Sequence, residues 1–373
     1  MKLFLSAGEA SGDAYAARIL DLLGNPDSVG LGASRSKKAG MTLLADTSRW
    51  GVMSILQSLK VFPRIFPGYY KAKKYLDRNE GFFIPIDFGY VNIRLARHAK
   101  RRGWTVLYFV PPGSWRRDKQ GRDLPAITDA VVTPFQYSAE MLNAMGARAF
   151  WFGHPIKELL RATKTSVTRG ETIAILPGSR HHEIVENLGP IAEATRGLGK
   201  LEFGLPIDFD VNWIRSLWKG DQATFTVGDT HNVLRRAKAG IVCSGTATLE
   251  AALLRCPHVV MYRMPKSSII EAKLIGFKLP KFISLPNIIL DRPVLPELIQ
   301  MFATPEAIRN ELLGVLANPG PQLAAFEELD QALGPEDAIT KTAGLIRQMM
   351  EAAPSHQLDT AQKIVGPLPK VGG

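Results

Sequence analysis

Short apolar runs bounded by turn residues alternate with segments of helical periodicity, and the chain of 373 residues does this twice. In the first half the runs are residues 2–5, 82–86, 105–109, 130–132 and 148–151, with helical periodicity over 11–23, 91–102 and 135–145. In the second half the runs are 172–176, 201–205, 223–227, 240–243 and 258–262, with helices beginning near His181, Val211, Asp229 and Thr246. Runs of this length without polar alternation suit strands covered on both faces, which means parallel sheets. Strand and helix alternating twice over predict an α/β chain of two doubly wound domains that face a cleft.

A length of 373 residues agrees, because a single core seldom grows past about 250–300 residues. The expected division is a first domain over 1–162, a polar linker around 161–170, a second domain over 171–335, a closing helix over 336–352 and a disordered tail over 353–373. Cys243 and Cys256 both sit in apolar stretches and give neither a disulfide framework nor a metal cluster, so a reducing compartment fits. The first five residues are too short for the core of a signal peptide, and no run reaches a membrane span. A cytoplasmic protein, free or peripheral on a membrane, is expected.

The net charge of +11 is concentrated. Residues 60–78 carry six cations against Asp77, and residues 94–122 carry nine against Asp118, so the rest of the chain is slightly negative. An anionic partner is therefore expected on the first domain. Nucleic acid lacks a supporting helix-turn-helix or aromatic-interleaved signature and is not expected. The segment from Val52 to Tyr70 is rich in large apolar residues and overlaps the first basic stretch. Val52, Ile55, Leu56, Leu59, Phe62 and Phe66 read either as an interfacial helix for anionic lipid or as core.

Three glycine turns carry candidate chemistry. Ser6-Ala-Gly-Glu-Ala-Ser-Gly-Asp13 ends the first strand; Gly8 lets the backbone approach a ligand, Ser11 or Asp13 can cap the next helix, and Glu9 stands at the cleft mouth. Leu176-Pro-Gly-Ser-Arg180 offers the N–H groups of Gly178 and Ser179 and the charge of Arg180 to an anion such as a diphosphate, followed by His181, His182 and Glu183 as a solvated helix start. Cys243-Ser-Gly-Thr-Ala-Thr-Leu-Glu250 offers Ser244, Gly245 and Thr246 to phosphate and Glu250 to ribose hydroxyls. Each reads equally, by itself, as an ordinary strand-to-helix turn with a cap. The pair Asp208 and Asp210 reads better as a solvated loop than as a cation site.

In this order the segments resemble the lipid-A-disaccharide synthases, glycosyltransferases of the B type with two Rossmann-like domains. The resemblance extends from residue 3 to about 350 and includes the three turns, Ile86-Asp87 with Asn92-Ile-Arg-Leu-Ala96, Phe152-Gly-His-Pro155, Tyr262-Arg263-Met264, Ser284-Leu-Pro-Asn-Ile288 and Pro296-Glu-Leu-Ile-Gln300. It implies transfer of a diacylglucosamine unit from UDP to the 6-hydroxyl of an acylated glucosamine 1-phosphate, without metal or other cofactor, on the inner face of the inner membrane. By the resemblance, Asp87 is the general base and Glu9 a second cleft carboxylate. Gly8, Ser11, Gly178, Ser179, Arg180, Ser244, Gly245, Thr246, Glu250, Tyr262 and Arg263 contact the substrates, and Asn287, Glu297 and Gln300 line the far side of the donor. The chemistry agrees, since inverting transfer needs a carboxylate for the acceptor's proton and donors for the departing diphosphate.

The sequence departs from the family pattern in three places. Tyr90 replaces a second acid after Asp87, the family's Trp-Ala-Trp-Arg is reduced to Ser114-Trp-Arg-Arg117, and Asp291 stands where glycine is common. A UDP-GlcNAc 2-epimerase-like isomerase, or a transferase with another lipid acceptor, is the alternative. The sequence is also compatible with a homo-oligomer.

Overall fold

Among the described residues every strand runs parallel to its sheet neighbours. The computed structural model describes residues 2–48, 50, 55–162, 168–207, 209–265, 269 and 280–364. The first sheet contains β1 (Lys2–Ala7), β2 (Ser28–Gly32), β3 (Thr42–Asp46), β4 (Gly81–Ile86), β5 (Thr105–Phe109), β6 (Ala130–Val132) and β7 (Ala149–Phe150) in the order β3-β2-β1-β4-β5-β6-β7. The second contains β8 (Thr172–Leu176), β9 (Leu201–Leu205), β10 (Ala223–Val227), β11 (Ala237–Cys243), β12 (His258–Tyr262) and β13 (Glu297–Ile299) in the order β10-β9-β8-β11-β12-β13. Strand order reverses once in each sheet, between β1 and β4 and between β8 and β11. Outside the carboxyl ends of such a strand pair the loops diverge and leave a crevice, where open α/β sheets bind their ligands.

The strands form because their side chains are buried on both faces. Phe4, Leu5, Phe82, Phe83 and Ile84 are wholly buried in the first sheet. The Phe4 ring lies 5.2 Å from Phe83 and 5.4 Å from Tyr75, and the buried Trp104 satisfies its indole N–H on the Leu76 carbonyl at 3.0 Å. In the second sheet Ile173, Ile175, Phe203 and Ile241 form the matching core, with Phe203 stacked on Phe225 at 4.6 Å. Full burial of each such side chain contributes roughly 1.5–3 kcal/mol, enough to fix strand and register together.

Two units emerge, one from residues 1–51, 62–155 and 337–373 and the other from residues 52–61 and 156–336. The last helix, Ala338–Ile364, thus returns to the first unit, where the Arg347 guanidinium donates to the Leu22 carbonyl at the end of α1 (Ala10–Leu23). That helix continues past Pro354, where the sequence predicts a disordered tail; Gln357, Leu358, Ala361, Gln362 and Lys363 all have good helix propensity. Among the described residues no helix is long and apolar enough to cross a membrane.

Three strands escape the sequence pattern. Gly30 and Gly32 break the apolar run of β2, and a Cβ at Gly30 would stand 2.0 Å from the Leu5 carbonyl oxygen. β3 is an edge strand, only half-buried, and β13 has three residues.

Candidate active site

The first switch point brings Glu9 and Asp87 together. Ala7 pairs with Ile86 at the last rung between β1 and β4, so the residues that follow both strands emerge side by side. Asp87 accepts no side-chain donor on its carboxylate among the described residues, but its backbone is held from three directions. Its N–H donates to the Phe109 carbonyl at 3.0 Å, and its carbonyl accepts from the Tyr108 hydroxyl at 2.8 Å and the Asn92 amide at 3.0 Å. Asn92, wholly buried on α4 (Gly89–Arg101), also donates to the Ser6 and Ile86 carbonyls and accepts from the Ser6 hydroxyl at 2.5 Å. It stitches the ends of β1 and β4.

Burial and the neighbouring charge of Glu9 push the Asp87 carboxyl up to about 7, against a smaller opposing effect from the Phe88 N–H. A carboxylate at that value can both exist in the charged form near neutral pH and accept a proton effectively. Burial, with the Asp87 charge added, raises Tyr108 well above the ordinary phenol value, so its hydroxyl stays a donor. Asp87, Phe88 and Val110, at the ends of β4 and β5, all have φ near +50°, a conformation that costs a β-branched residue most. Backbone strain therefore gathers around the candidate base. Gly8 is required here, because a Cβ would stand 2.0 Å from the Phe88 ring, which packs against Trp50 at 6.0 Å.

Around this pair the expectations are partly revised. Glu9 itself holds the cap position of α1, and Ser11 lies in the first turn. Asp13 does not cap α1. Buried at 2% exposure, it accepts from the N–H groups of Ala33 at 2.7 Å, Arg35 at 2.9 Å and Ser36 at 3.2 Å, and so secures the start of α2 (Ser34–Lys38). Tyr90, in the place of the second acid, is exposed and lies under the Arg94 guanidinium at 4.5 Å. Gly89 fits against Pro112, where a Cβ would come within 2.5 Å, which brings the loop after β5 beside Tyr90. In that loop the Trp115 carbonyl accepts from the Tyr137 hydroxyl at 2.9 Å, and the Arg117 guanidinium lies over the Tyr137 ring at 4.7 Å.

At the second switch point the turn after β8 is already closed by its own chain. Glu183, expected in a solvated helix start, is 2% exposed on α8 (His181–Ala194). Its carboxylate accepts from the Ser179 N–H at 3.0 Å, the Arg180 N–H at 3.2 Å and the Arg180 guanidinium at 2.7 Å. Gly178 is at φ +131° beside it, where a Cβ would stand 2.7 Å from the Glu183 Cβ. Of the backbone donors expected for an anion, the Ser179 N–H is thus spent on Glu183, and the Arg180 guanidinium is paired with the same carboxylate. A glutamate three residues into the helix is the sequence signal for this closure.

The turn after β11 is different. Ser244 is consumed: its N–H donates to the Met261 carbonyl at 3.0 Å and its hydroxyl to the Ile283 carbonyl at 2.9 Å. Gly245, at φ +150°, has no atom within 4 Å of where a Cβ would lie, and α11 (Thr246–Leu253) begins directly after it without a side-chain cap. The N–H groups of Thr246 and Ala247 have no acceptor among the described residues, whereas that of Thr248 turns back to the Gly245 carbonyl at 3.1 Å; this is the open anion site of the unit. One turn on, Glu250 lies 3.7 Å from the His231 ring nitrogen. Among the described residues the buried hydroxyl of Tyr262 and the buried amide nitrogen of Gln300 have no hydrogen-bond partner, and burial beside Glu183 and Cys243 pushes Tyr262 up to about 12.

Asn287 and Glu297 turn inward. The Glu297 carboxylate accepts from the N–H groups of Ile283 and Ser284, the Ser284 hydroxyl at 2.6 Å and the Asn287 amide at 2.9 Å. Asn287, 1% exposed, also accepts from the Val294 and Leu295 N–H groups at 2.8 Å. Both brace the loop that holds Ser244, and their side chains are engaged in these bonds. Asp291 has φ +51°, which explains why glycine suits that position. Arg263 is half-buried.

Two further expectations are only partly visible. Of the apolar segment, Val52 lies outside the described residues, as do the side chains of Ile55, Leu56, Leu59 and Phe62 on α3 (Ile55–Arg78), whereas Phe66 is 51% exposed. Asp208 also lies outside them; Asp210 caps α9 (Val211–Leu217) through the Asn212 N–H at 2.8 Å. His181 stacks on Phe209 at 5.0 Å and meets Trp213 at a tilt, 4.7 Å away, in a three-ring cluster. Among the described residues no group of three or more His, Cys, Asp or Glu could hold a metal ion.

Comparison with known proteins decides among B-type enzymes of this shape. A family model for lipid-A-disaccharide synthetase matches residues 3–330. The chain belongs to the lipid-A-disaccharide synthetase family. The lipid-A-disaccharide synthase of Acidobacterium capsulatum is 33% identical over 85% of this chain and 87% of its own length. That of Myxococcus xanthus is 31% identical over 94% and 97%. Among solved structures, a putative UDP-N-acetylglucosamine 2-epimerase from Listeria monocytogenes superposes with a TM-score of 0.61 at 13% identity, covering 94% of this chain and 96% of that one. The calicheamicin glycosyltransferase CalG4 does so at 0.56 and 11%, over 93% and 98%. These two likenesses show the fold, shared by transferases and epimerases; the family is what makes this synthetase a glycosyltransferase of lipid A biosynthesis.

Proposed function

We propose that the chain joins UDP-2,3-diacylglucosamine to 2,3-diacylglucosamine 1-phosphate, forming the β-1,6-linked disaccharide 1-phosphate and UDP, with Asp87 as general base. The observation that carries this reading is Asp87 itself, raised to about 7 beside Glu9 at the first switch point. The acceptor's 6-hydroxyl oxygen attacks the anomeric carbon of the donor while the bond from that carbon to the diphosphate oxygen breaks. The hydroxyl proton passes to Asp87, and the electron pair leaves with UDP.

Charge on the departing diphosphate is met by the N–H groups of Gly245 and Thr246 at the start of α11 and by the Arg180 guanidinium. Glu250 accepts from the ribose, and Tyr262, Arg263 and Gln300 supply donors to the sugar nucleotide. Asn287 and Glu297 act through the loop they brace. The enzyme works peripherally at the inner face of the inner membrane, docked through α3. Its basic and apolar sequence there supports that placement.

Release of UDP from UDP-diacylglucosamine tests the reaction. It should require the acylated glucosamine 1-phosphate and yield one disaccharide per UDP. Turnover of the donor without acceptor would contradict transfer and favour an isomerase or hydrolase.

A further inference from the structure

Several cations of the first unit are paired with carboxylates. Arg97 pairs with Asp123, Lys100 with Asp129, Arg102 with Asp77 and Arg116 with Asp118. Lys71, Lys74 and Arg78 have no such partner among the described residues. They recur at i, i+3 and i+7 along one face of α3, with Tyr75 on the same face. Opposite them stands Leu44 of the edge strand β3, and Asn79 closes the end. Together these six residues line an open groove of about 420 Å³ with an apolar floor and a cationic rim.

We infer that this groove is a binding site for a single anionic phospholipid, separate from the active site. One acyl chain lies along Leu44 and the Tyr75 ring, and the phosphate is held by Lys71, Lys74 and Arg78. Two observations favour a bilayer lipid over a free phosphate. The walls between the cations are apolar, which a bare anion would not use. Phe66 and Tyr70, 51% and 57% exposed, precede Lys74 at four-residue steps on the same helix, so an aromatic stripe runs from the surface to the groove. The site does not depend on the transfer reaction and would exist in an inactive enzyme.

The test is titration of the full-length protein with monomeric dihexanoyl phosphatidylglycerol, dihexanoyl phosphatidylcholine and glycerol 3-phosphate. Phosphatidylglycerol should bind saturably, and the other two at least tenfold more weakly. Each cation removed should cost about fivefold. Lys71→Gln, Lys74→Gln and Arg78→Gln combined should therefore weaken binding about a hundredfold, and these side chains are surface groups whose loss leaves the core intact. Leu44→Glu, checked by its circular dichroism, should abolish binding from the apolar side. Equal binding of phosphatidylcholine, equal binding of glycerol 3-phosphate, or no effect of the triple variant would each overturn the site. This site shares with the proposed function only its membrane-facing α3: loss of lipid binding in the triple variant would support the groove at any rate of transfer, and lipid binding that persists while transfer fails would overturn it.

Discussion

Glu9 and Asp87 follow the two strands that flank the reversal of the first sheet, and the charge on Glu9 helps to hold the Asp87 carboxyl near 7. Burial, with one carboxylate beside another, thus sets the working range of Asp87. The arrangement follows from topology, because only at the switch point do residues 78 positions apart in sequence leave adjacent parallel strands together.

Asp87→Asn removes the proton acceptor while keeping the shape. It should lower kcat by about 10²–10⁴-fold, the usual worth of a positioned general base, and leave UDP affinity within twofold. Turnover assays with calorimetric UDP titration check this; near wild-type turnover would remove Asp87 from the mechanism.

The same substitution should stabilise the fold at alkaline pH. A carboxyl whose folded value lies above its unfolded one contributes stability below about pH 4 that is lost as pH rises through about 7. Discounted for partial exposure of Asp87, the loss by pH 8 is about 2 kcal/mol. Asp87→Asn should therefore melt above the wild type at pH 8, and the difference should shrink toward pH 5.

Gly8→Ala tests the backbone around the pair. The added Cβ meets the Phe88 ring at 2.0 Å, so Phe88 must move, and with it the strained residue before it, Asp87. The expected result is a kcat loss of tenfold or more at a stability cost of about 1–3 kcal/mol. Turnover and thermal melts separate the two effects.

In the second unit Glu183 and Gly245 should behave in opposite ways. Glu183→Ala leaves the Ser179 and Arg180 N–H groups without this acceptor and removes the carboxylate paired with the Arg180 guanidinium, which should destabilise by about 2–4 kcal/mol and weaken UDP binding. Gly245→Ala places a methyl in the open anion site and should weaken UDP at least tenfold, with about 1 kcal/mol lost to its backbone conformation. Paired melts and UDP titrations distinguish them.

Sequence reading reached the architecture because buried parallel strands announce themselves as unbroken apolar runs. It missed β2 because glycines demanded by close backbone approach, such as Gly30, interrupt the run. At the sites it found the turns but not which donors remain open. Ser244 and Ser179 look like phosphate ligands in sequence, yet partners far along the chain or one turn on have taken their groups. Asn287 and Glu297 likewise carry the right chemistry and spend it on a loop. Asp291 shows the reverse, since its left-handed backbone explains a glycine preference that sequence alone leaves as an oddity. Which polar atoms are already paired is a property of packing, and spacing does not contain it.

The most direct test of the central relationship is the pH dependence of kcat/KM for the wild type and Glu9→Gln. The wild type should lose activity as pH falls through about 7, because Asp87 must be ionised to accept the proton. Removing the Glu9 charge should move that acidic limb to lower pH, even where the variant's maximal rate is reduced. An acidic limb that stays in place in Glu9→Gln would contradict the coupling of the two carboxylates.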